Sequence, residues 1–217
     1  MNFEQARFNM VEQQIRPWEV LDFGVLDVLM SVRREEFVPE AYKGVALSEA
    51  EIPLGHGSTM LIPVIEGKIL QAVQVKASDK VLEVGAGSGY FAALLAAKAD
   101  WVRTVEIDPV LVNMAHDNLK RYGVENVIVE EGDAIRGWPS NAPYDLIVVS
   151  GGVPFVPETL LQQVKVGGRL FAFVGEQHLM TAQLATCVAE GKYSTESLFE
   201  NAVPMMRNAP HKNAFSF

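Results

Sequence analysis

Three stretches of the first 78 positions have apolar residues spaced with the period of an α-helix. Over residues 2–16 the apolar residues recur every three or four positions, which predicts one helix. Asp22 precedes a second run of this kind and is predicted to cap a helix that ends near Pro39. Residues 40–63 contain several prolines and glycines and are predicted to be irregular. A third helix is predicted over about 63–75, so we expect these 78 residues to form a helical cap.

From Lys80 onward, short apolar runs alternate with helical patterns. Strands are predicted at 81–84, 102–105, 127–129, 146–149 and 170–174, and then at 194–200 and 202–206. Helices are predicted near 90–98, 110–122, 157–165 and 179–190. Alternation of nearly continuous apolar strands with helices is typical of parallel sheets. The sequence therefore predicts an α/β fold, a mostly parallel sheet of about seven strands with helices on both faces and the N-terminal helical cap.

The composition changes this picture only by exclusion. Eighteen Lys and Arg against 27 Asp and Glu give a net charge of −9, which argues against nucleic-acid binding. No apolar run is long enough to span a membrane, the N-terminus has no signal-peptide core, and we expect a cytoplasmic protein. The single cysteine, Cys187, and four scattered histidines predict neither a disulfide nor a metal site.

We expect one domain over 1–217, with the cap at 1–78, a ligand-binding core at 79–206 and a tail at 207–217.

Two polar features have structural interpretations. The run Arg33-Arg34-Glu35-Glu36 is predicted to be a solvated helix end. Cys187 lies in the apolar pattern of the predicted helix 179–190, which favours an inert thiol in the core over a nucleophile.

The most informative stretch is VLEVGAGSGYFAALLA, residues 81–96. An apolar strand leads into the loop Gly85-Ala86-Gly87-Ser88-Gly89, and a helix follows at about Tyr90. Glycines allow a tight turn and let a ligand approach the backbone closely. The loop follows the carboxyl end of the first core strand, where open α/β sheets bind ligands. We therefore predict that this loop contacts a nucleotide-like ligand.

Acidic residues follow the next two strands. Glu106 ends the second core strand, with Ile107 beside it, and its carboxylate is placed to accept the hydroxyls of a ribose. Asp133-Ala134 follows the third strand, where an acid reaches an adenine amino group. Glu83, inside the first strand, and Ser150, near the end of the fourth, complete the predicted cofactor-binding set.

The loop spacing distinguishes between cofactors. It is Gly-x-Gly-x-Gly, whereas the dinucleotide pattern requires its third glycine at position 90, which is tyrosine. The loop also contains no Lys or Arg to bind a pyrophosphate. An adenosyl cofactor without phosphate fits better, and S-adenosylmethionine is that molecule.

These motifs resemble class I S-adenosylmethionine-dependent methyltransferases, and more narrowly the protein-L-isoaspartate O-methyltransferase family. The similarity extends over roughly residues 10–206. The segments that carry it are VRREEFVPEAY (32–42), IPLGHGSTMLIP (52–63), VLEVGAGSGY (81–90), EEGDAIRGWPSNAPYDLIVVSGG (130–152), LLQQVKVGGRLFAFVGEQ (160–177) and AVPM (202–205). The resemblance implies a Rossmann-like sheet, S-adenosylmethionine as donor and S-adenosylhomocysteine as product. It also implies methyl esterification of abnormal aspartyl carboxylates in damaged proteins, with the 55–63 loop over the methyl group.

The acceptor half departs from the family pattern. The family loop reads Gly-x-Thr-Ile-Ser-x-Pro, and its serine position here is Leu61, which cannot donate a hydrogen bond. Val64 stands where histidine or tyrosine is common, and Gly151-Gly152 replaces Ala-Ala. Ser58 or Thr59 is the candidate for the missing catalytic hydroxyl.

Three interpretations of the function stay open: an isoaspartyl methyltransferase acting on a damaged protein or peptide, a methyltransferase for a less polar small molecule, and a cofactor-binding protein without turnover. The oligomeric state is not predicted.

Overall fold

The computed structural model describes residues 2–176 and 178–210, and its N-terminal part is helical, as predicted. Helix α1 (Phe3–Asn9) begins at Asn2, whose side chain accepts the N–H of Gln5. The chain continues through a π-helical segment, Met10–Ile15, and a 3-10 turn, Arg16–Trp18. The predicted helix over 2–16 is therefore present, with its second half wound more widely than an α-helix.

Helix α2 (Phe23–Ser31) begins at Asp22, whose carboxylate accepts the N–H of Val25 at 2.9 Å, as predicted. The expectation that this helix ends near Pro39 is wrong, because the backbone is already extended at Val32. A 3-10 segment, Arg34–Glu36, then leads to Phe37, which is fully buried in the core. A second 3-10 segment, Glu40–Val45, follows.

The region 40–63 is more ordered than its proline and glycine content suggests. It contains an antiparallel hairpin of β1 (Ile52–Gly55) and β2 (Ser58–Met60), turning at residues with positive φ. The prediction of an irregular segment is wrong here, since strands of four and three residues are too short for a periodic signal. Helix α3 (Pro63–Val73) follows and matches the prediction, with proline in its first turn.

The main sheet has seven strands and confirms the predicted α/β fold. In chain order they are β3 (Lys80–Val84), β4 (Trp101–Glu106), β5 (Val127–Glu131), β6 (Tyr144–Val153), β7 (Val164–Glu176), β8 (Leu179–Ala189) and β9 (Lys192–Glu200). Their order across the sheet is β5-β4-β3-β6-β7-β8-β9. Strands β3 to β7 are parallel, and β8 and β9 are added antiparallel at one edge. The strand order therefore reverses between β3 and β6, and open α/β sheets bind ligands at such a switch point.

The C-terminal strands differ from the prediction. Residues 179–189 form β8 and not a helix, and Cys187 lies in this strand with a buried thiol. The Ala- and Leu-containing run favours a helix by composition, but hydrogen bonding to β7 and β9 on either side overrides that preference. The predicted strand at 202–206 is an extended segment with a single bridge between Gly152 and Met205.

Helices cover both faces of the sheet unequally. Helices α3, α4 (Tyr90–Ala96) and α5 (Pro109–Tyr122) pack with the cap on one face, in one large apolar cluster. The other face packs against the segment around Ile135 and a four-residue helix, α6 (Glu158–Leu161), shorter than the helix predicted at 157–165. Within residues 2–176 and 178–210, no helix has the length and apolarity required to cross a membrane.

Candidate active site

The glycine loop after β3 lies at the switch point of the sheet. Gly85, Gly87 and Gly89 all have positive φ, at 99°, 52° and 83°, which explains why this turn uses glycine. Gly85 and Gly87 line the cavities at this edge of the sheet, together with Ala86 and Ser88. Gly89 lies behind the loop, where a Cβ would come within 3.1 Å of the carbonyl oxygen of Ala115. Its main observed role is therefore close packing against α5.

Glu106 lies at the end of β4, where it was predicted, and is almost completely buried. One carboxylate oxygen accepts the N–H of Gly87 at 3.0 Å. The other accepts the N–H groups of Ile107 and Asp108, at 3.0 and 3.1 Å. Glu106 therefore fixes the glycine loop to the end of the next strand, and one of the roughly four acceptor positions of its carboxylate remains for a ligand hydroxyl.

Asp133 and Ala134 follow β5, at the same edge as Glu106. Asp133 is exposed, and its carboxylate accepts the N–H of Ile135 at 3.2 Å and the side-chain amide of Asn208 at 3.0 Å. A small cavity lies between these residues, Glu106 and the C-terminal segment. The three strand ends selected from the sequence are thus brought together.

Glu83 is fully buried in β3, between two hydroxyl groups. Thr104 donates to one carboxylate oxygen at 2.6 Å and Ser150 to the other at 3.2 Å. Burial is the dominant influence and raises the pKa of Glu83 to about 8, although both hydrogen bonds oppose the shift. The side chain therefore carries its proton at neutral pH. Glu83 and Ser150 both line the cavity behind the glycine loop.

The hairpin β1–β2 and the residues after it form the opposite wall. Ser58, Thr59 and Leu61 line a cavity of about 120 Å³ that they share with Gly85, Gly87 and Ser150. The hydroxyl of Thr59 donates to Glu51 over a long 3.4 Å. Leu61 is 8% exposed and presents only carbon at this wall. Val64 is buried in α3.

A buried ion pair next to the hairpin wall fixes the backbone of that wall at Leu61. Arg34 is fully buried, forms an ion pair with Glu66 and donates to the carbonyl oxygen of Leu61 at 2.6 Å. Burial raises the pKa of Glu66 to about 7, against the opposing effect of Arg34. Glu35 is likewise buried and paired with Arg7. The prediction of a solvated helix end at Arg33–Glu36 is therefore wrong for its two central residues.

The C-terminal segment closes the third side of the cleft. Arg207 donates to the carboxylate of Asp108 at 2.9 Å and to the carbonyl oxygen of His56, in the hairpin turn. The ring of His56 is 3.0 Å from the same carboxylate. Sequence reasoning missed this cluster, because its members come from three distant segments and share no motif. The predicted tail at 207–217 thus begins as part of the site, and its residues from 211 onward lie outside the described residues.

Gly151 and Gly152 make room for this segment. Both lie within β6, and a Cβ on Gly151 would come within 2.6 Å of the sulfur of Met206. On Gly152 it would come within 2.6 Å of the methyl carbon of Met180. The two glycines and the methionines above them are therefore one packing arrangement, which Ala-Ala would disturb.

The residues present fit S-adenosylmethionine. At Gly85 and Gly87 the loop presents backbone without a Cβ to the cavities, and the carboxylates of Glu106 and Asp133 are able to accept a ribose hydroxyl and an adenine amino group. Tyr90 lines the cavity behind the loop, and its buried hydroxyl has no hydrogen-bond partner among the described residues. Over the same described ranges, no group of His, Cys, Asp and Glu is arranged to hold a metal ion.

Comparison with known proteins gives a consistent result. A sequence profile described as protein-L-isoaspartate(D-aspartate) O-methyltransferase matches residues 6–206. A protein-L-isoaspartate O-methyltransferase 1 of Rhodopseudomonas palustris (strain HaA2) is 43% identical over 174 residues, 80% of this chain and 71% of the relative. One of the same name from Syntrophobacter fumaroxidans is 38% identical over 195 residues, 90% of this chain and 91% of the relative.

Solved structures show the same fold. A protein-L-isoaspartate O-methyltransferase structure superposes with a TM-score of 0.80 at 27% identity, over 94% of this chain. This chain spans 65% of that one, about two thirds of its length. A Plasmodium falciparum protein in complex with S-adenosyl-L-homocysteine superposes with a TM-score of 0.81 at 18% identity, over 95% of this chain and 99% of the other. The second similarity supports the fold alone.

Proposed function

Because the chain belongs to the protein-L-isoaspartate(D-aspartate) O-methyltransferase family, we propose that it is an S-adenosylmethionine-dependent methyltransferase that esterifies abnormal aspartyl carboxylates in damaged proteins or peptides. The observation that carries the proposal is the convergence of the glycine loop, Glu106 and Asp133 at the switch point, opposite the hairpin wall. The cytoplasmic location stays a prediction.

The cofactor would be held by the three strand ends. Glu106 would accept a ribose hydroxyl, Asp133 would accept the adenine amino group beside Ala134, and Gly85 and Gly87 would let the rest of the cofactor approach the backbone. Glu83 and Ser150 bound the cavity into which the amino-acid end extends. An ammonium group bound beside Glu83 would favour the ionised carboxylate and lower its pKa from the value in the ligand-free protein.

The chemistry requires alignment more than proton transfer. When bound at these strand ends, S-adenosylmethionine would supply a sulfonium methyl group for transfer to a carboxylate oxygen of the acceptor, with the C–S bonding pair left on sulfur. The acceptor carboxylate is already ionised near neutral pH, so no general base is needed and no proton is released. The protein contributes by holding the carboxylate in line and excluding water.

Leu61 makes the acceptor side unusual for such a carboxylate. A buried oxygen left without a donor costs roughly 1–3 kcal/mol. Ser58 and Thr59 line the same cavity, and the long contact from Thr59 to Glu51 leaves that hydroxyl easy to redirect. We assign Thr59, with Ser58 beside it, as the candidate hydroxyl donors to the acceptor.

The test is methyl transfer to an isoaspartyl peptide, with the normal aspartyl peptide of identical sequence as control. We expect the isoaspartyl peptide alone to be methylated, and Thr59→Val to lower kcat/KM while Leu61→Ser raises it. Each change corresponds to about one hydrogen bond, roughly fivefold to a hundredfold. Absence of methylation by the wild type, at saturating donor, would refute the isoaspartyl assignment.

The apolar wall favours one second candidate, transfer to a less polar small molecule. Leu61, Pro204, Met205 and Met206 line the acceptor-side cavity and offer no side-chain donor. In that case the isoaspartyl peptide would not react with the wild type, whereas Leu61→Ser would gain the activity. Binding of S-adenosylhomocysteine without transfer to either class of acceptor would indicate the third interpretation, a cofactor-binding protein without turnover.

A further inference from the structure

Acidic side chains outnumber basic ones around the cleft, although the proposed acceptor is itself a carboxylate. Its adjoining cavities are lined by Glu66, Glu83, Glu106 and Asp133. Arg207 is the only Lys or Arg among the described residues that lines these cavities. Glu83 carries its proton and Glu66 is paired with Arg34, so an anionic acceptor that enters here is repelled mainly by Glu106 and Asp133. Arg207 is placed to offset this repulsion.

Two hydrogen bonds hold the side chain of Arg207 in place and leave some of its N–H donors unused. Asp108 caps α5 through the N–H of Val110 at 2.9 Å and binds Arg207 with its other oxygen. The second guanidinium nitrogen donates to the carbonyl oxygen of His56. A guanidinium has further N–H donors beyond these two, and its planar fork matches a carboxylate. The anchoring fixes the side chain at the cavity wall and leaves donors for a ligand.

The position of Arg207 relative to Leu61 is the second observation. Both residues line the same 120 Å³ cavity, together with Ser58 and Thr59. The cation therefore shares this cavity with the position where the family hydroxyl is missing. Arg207 is also the first residue after the family match at 6–206, so the family resemblance assigns it no role.

We propose that Arg207 binds the carboxylate of the methyl acceptor and, together with the hydroxyl of Thr59, supplies the hydrogen bonds that leucine at position 61 cannot provide. This inference rests on the proposed function, because it presumes an anionic acceptor. It makes Arg207 a substrate-binding residue, whose removal weakens binding of the acceptor and not of the cofactor.

The experiment compares Arg207→Ala, Arg207→Lys, Leu61→Ser and the double variant Leu61→Ser/Arg207→Ala with the wild type. For each protein, peptide KM and kcat are measured in the methyl-transfer assay. Calorimetry gives the Kd for S-adenosylhomocysteine, and the Kd for the isoaspartyl peptide on the S-adenosylhomocysteine complex. Arg16→Ala is the matched charge control, because Arg16 pairs with Glu12 on the exposed face of the N-terminal helix.

We expect Arg207→Ala to raise peptide KM and peptide Kd roughly tenfold to a hundredfold, with S-adenosylhomocysteine Kd changed less than about twofold. Lysine keeps the charge but not the fork, so Arg207→Lys is expected to lose less. Arg207→Lys also keeps the pairing with Asp108, and it replaces Arg207→Ala as the test variant if the alanine protein does not fold. Arg16→Ala is expected to match the wild type.

Unchanged peptide KM and Kd in Arg207→Ala would overturn the proposal. So would a decrease in S-adenosylhomocysteine affinity as large as the decrease in peptide affinity, which indicates a structural role. If only Leu61→Ser binds the peptide, the proposed function fails for the wild type, and the double variant decides on Arg207 in that background. If neither background binds the peptide, both proposals are refuted.

Discussion

Replacing Glu83 by glutamine is expected to make the ligand-free protein more stable at pH 8 and to change little at pH 5. Burial raises the pKa of Glu83 to about 8, from an ordinary value of 4.5. Between these values the folded state keeps the proton that the unfolded state releases. The folded state therefore binds more protons, and the wild-type free energy of unfolding falls as pH rises.

The magnitude follows from the proton difference. One proton bound only in the folded state changes stability by about 1.4 kcal/mol for each pH unit. Between pH 5 and pH 8 the difference between the glutamine variant and the wild type is therefore expected to grow by up to about 4 kcal/mol. Above pH 8 it levels off. Glutamine has nearly the same shape as glutamic acid. Its amide can also keep both hydrogen bonds, because the hydroxyls of Thr104 and Ser150 can each donate or accept.

The assay is urea unfolding without ligand at each pH unit from 5 to 9. Glu66 also has a raised pKa, and because it is present in both proteins, most of its own contribution cancels; its charge is the smallest of the influences on Glu83. Glu190→Gln is the control, since Glu190 is exposed in the turn between β8 and β9. Parallel stability curves for the wild type and Glu83→Gln would show that Glu83 is ionised in the folded protein and would refute the reasoning.

Three further predictions concern the scaffold of the site. Glu106→Gln is expected to weaken S-adenosylhomocysteine binding at least about tenfold in calorimetry, because it removes charge from the ribose position; an unchanged Kd would contradict the assignment. Gly89→Ala is expected to cost about 1–3 kcal/mol more in urea unfolding than Gly123→Ala, because both have positive φ but only Gly89 meets other atoms; equal decreases in stability would refute the steric explanation. Arg34→Ala is expected to cost about 3–5 kcal/mol, because it leaves Glu66 buried without its cation, and a decrease below about 1 kcal/mol would contradict this.

The placement of three polar strand ends at one edge of the sheet could be predicted because its signals are local. Gly85, Glu106 and Asp133 each follow or end an apolar strand, and parallel strands bring such ends to one edge. Short-range order along the chain is enough for this inference. The cap of α2 could be predicted for the same reason, because Asp22 directly precedes the helix that it caps.

The acceptor side could not be predicted because its contacts are long-range. Arg34 and Glu66 are 32 positions apart, and their charges look solvated until the fold buries them. Arg207 meets Asp108 and His56 across 99 and 151 positions. Strand β8 was missed for a related reason, since its neighbours and not its own residues make it a strand. Composition and periodicity carry no information about such partners.

The methionine-covered glycines of β6 bear on substrate range. An abnormal aspartyl residue in a damaged protein arrives with arbitrary neighbours on either side. Met205 and Met206 are unbranched and rest on Gly151 and Gly152, so their thioethers can change rotamer without displacing the strand beneath. Such a surface discriminates by size more than by shape, and it suits an enzyme that must tolerate many sequence contexts around one chemical lesion.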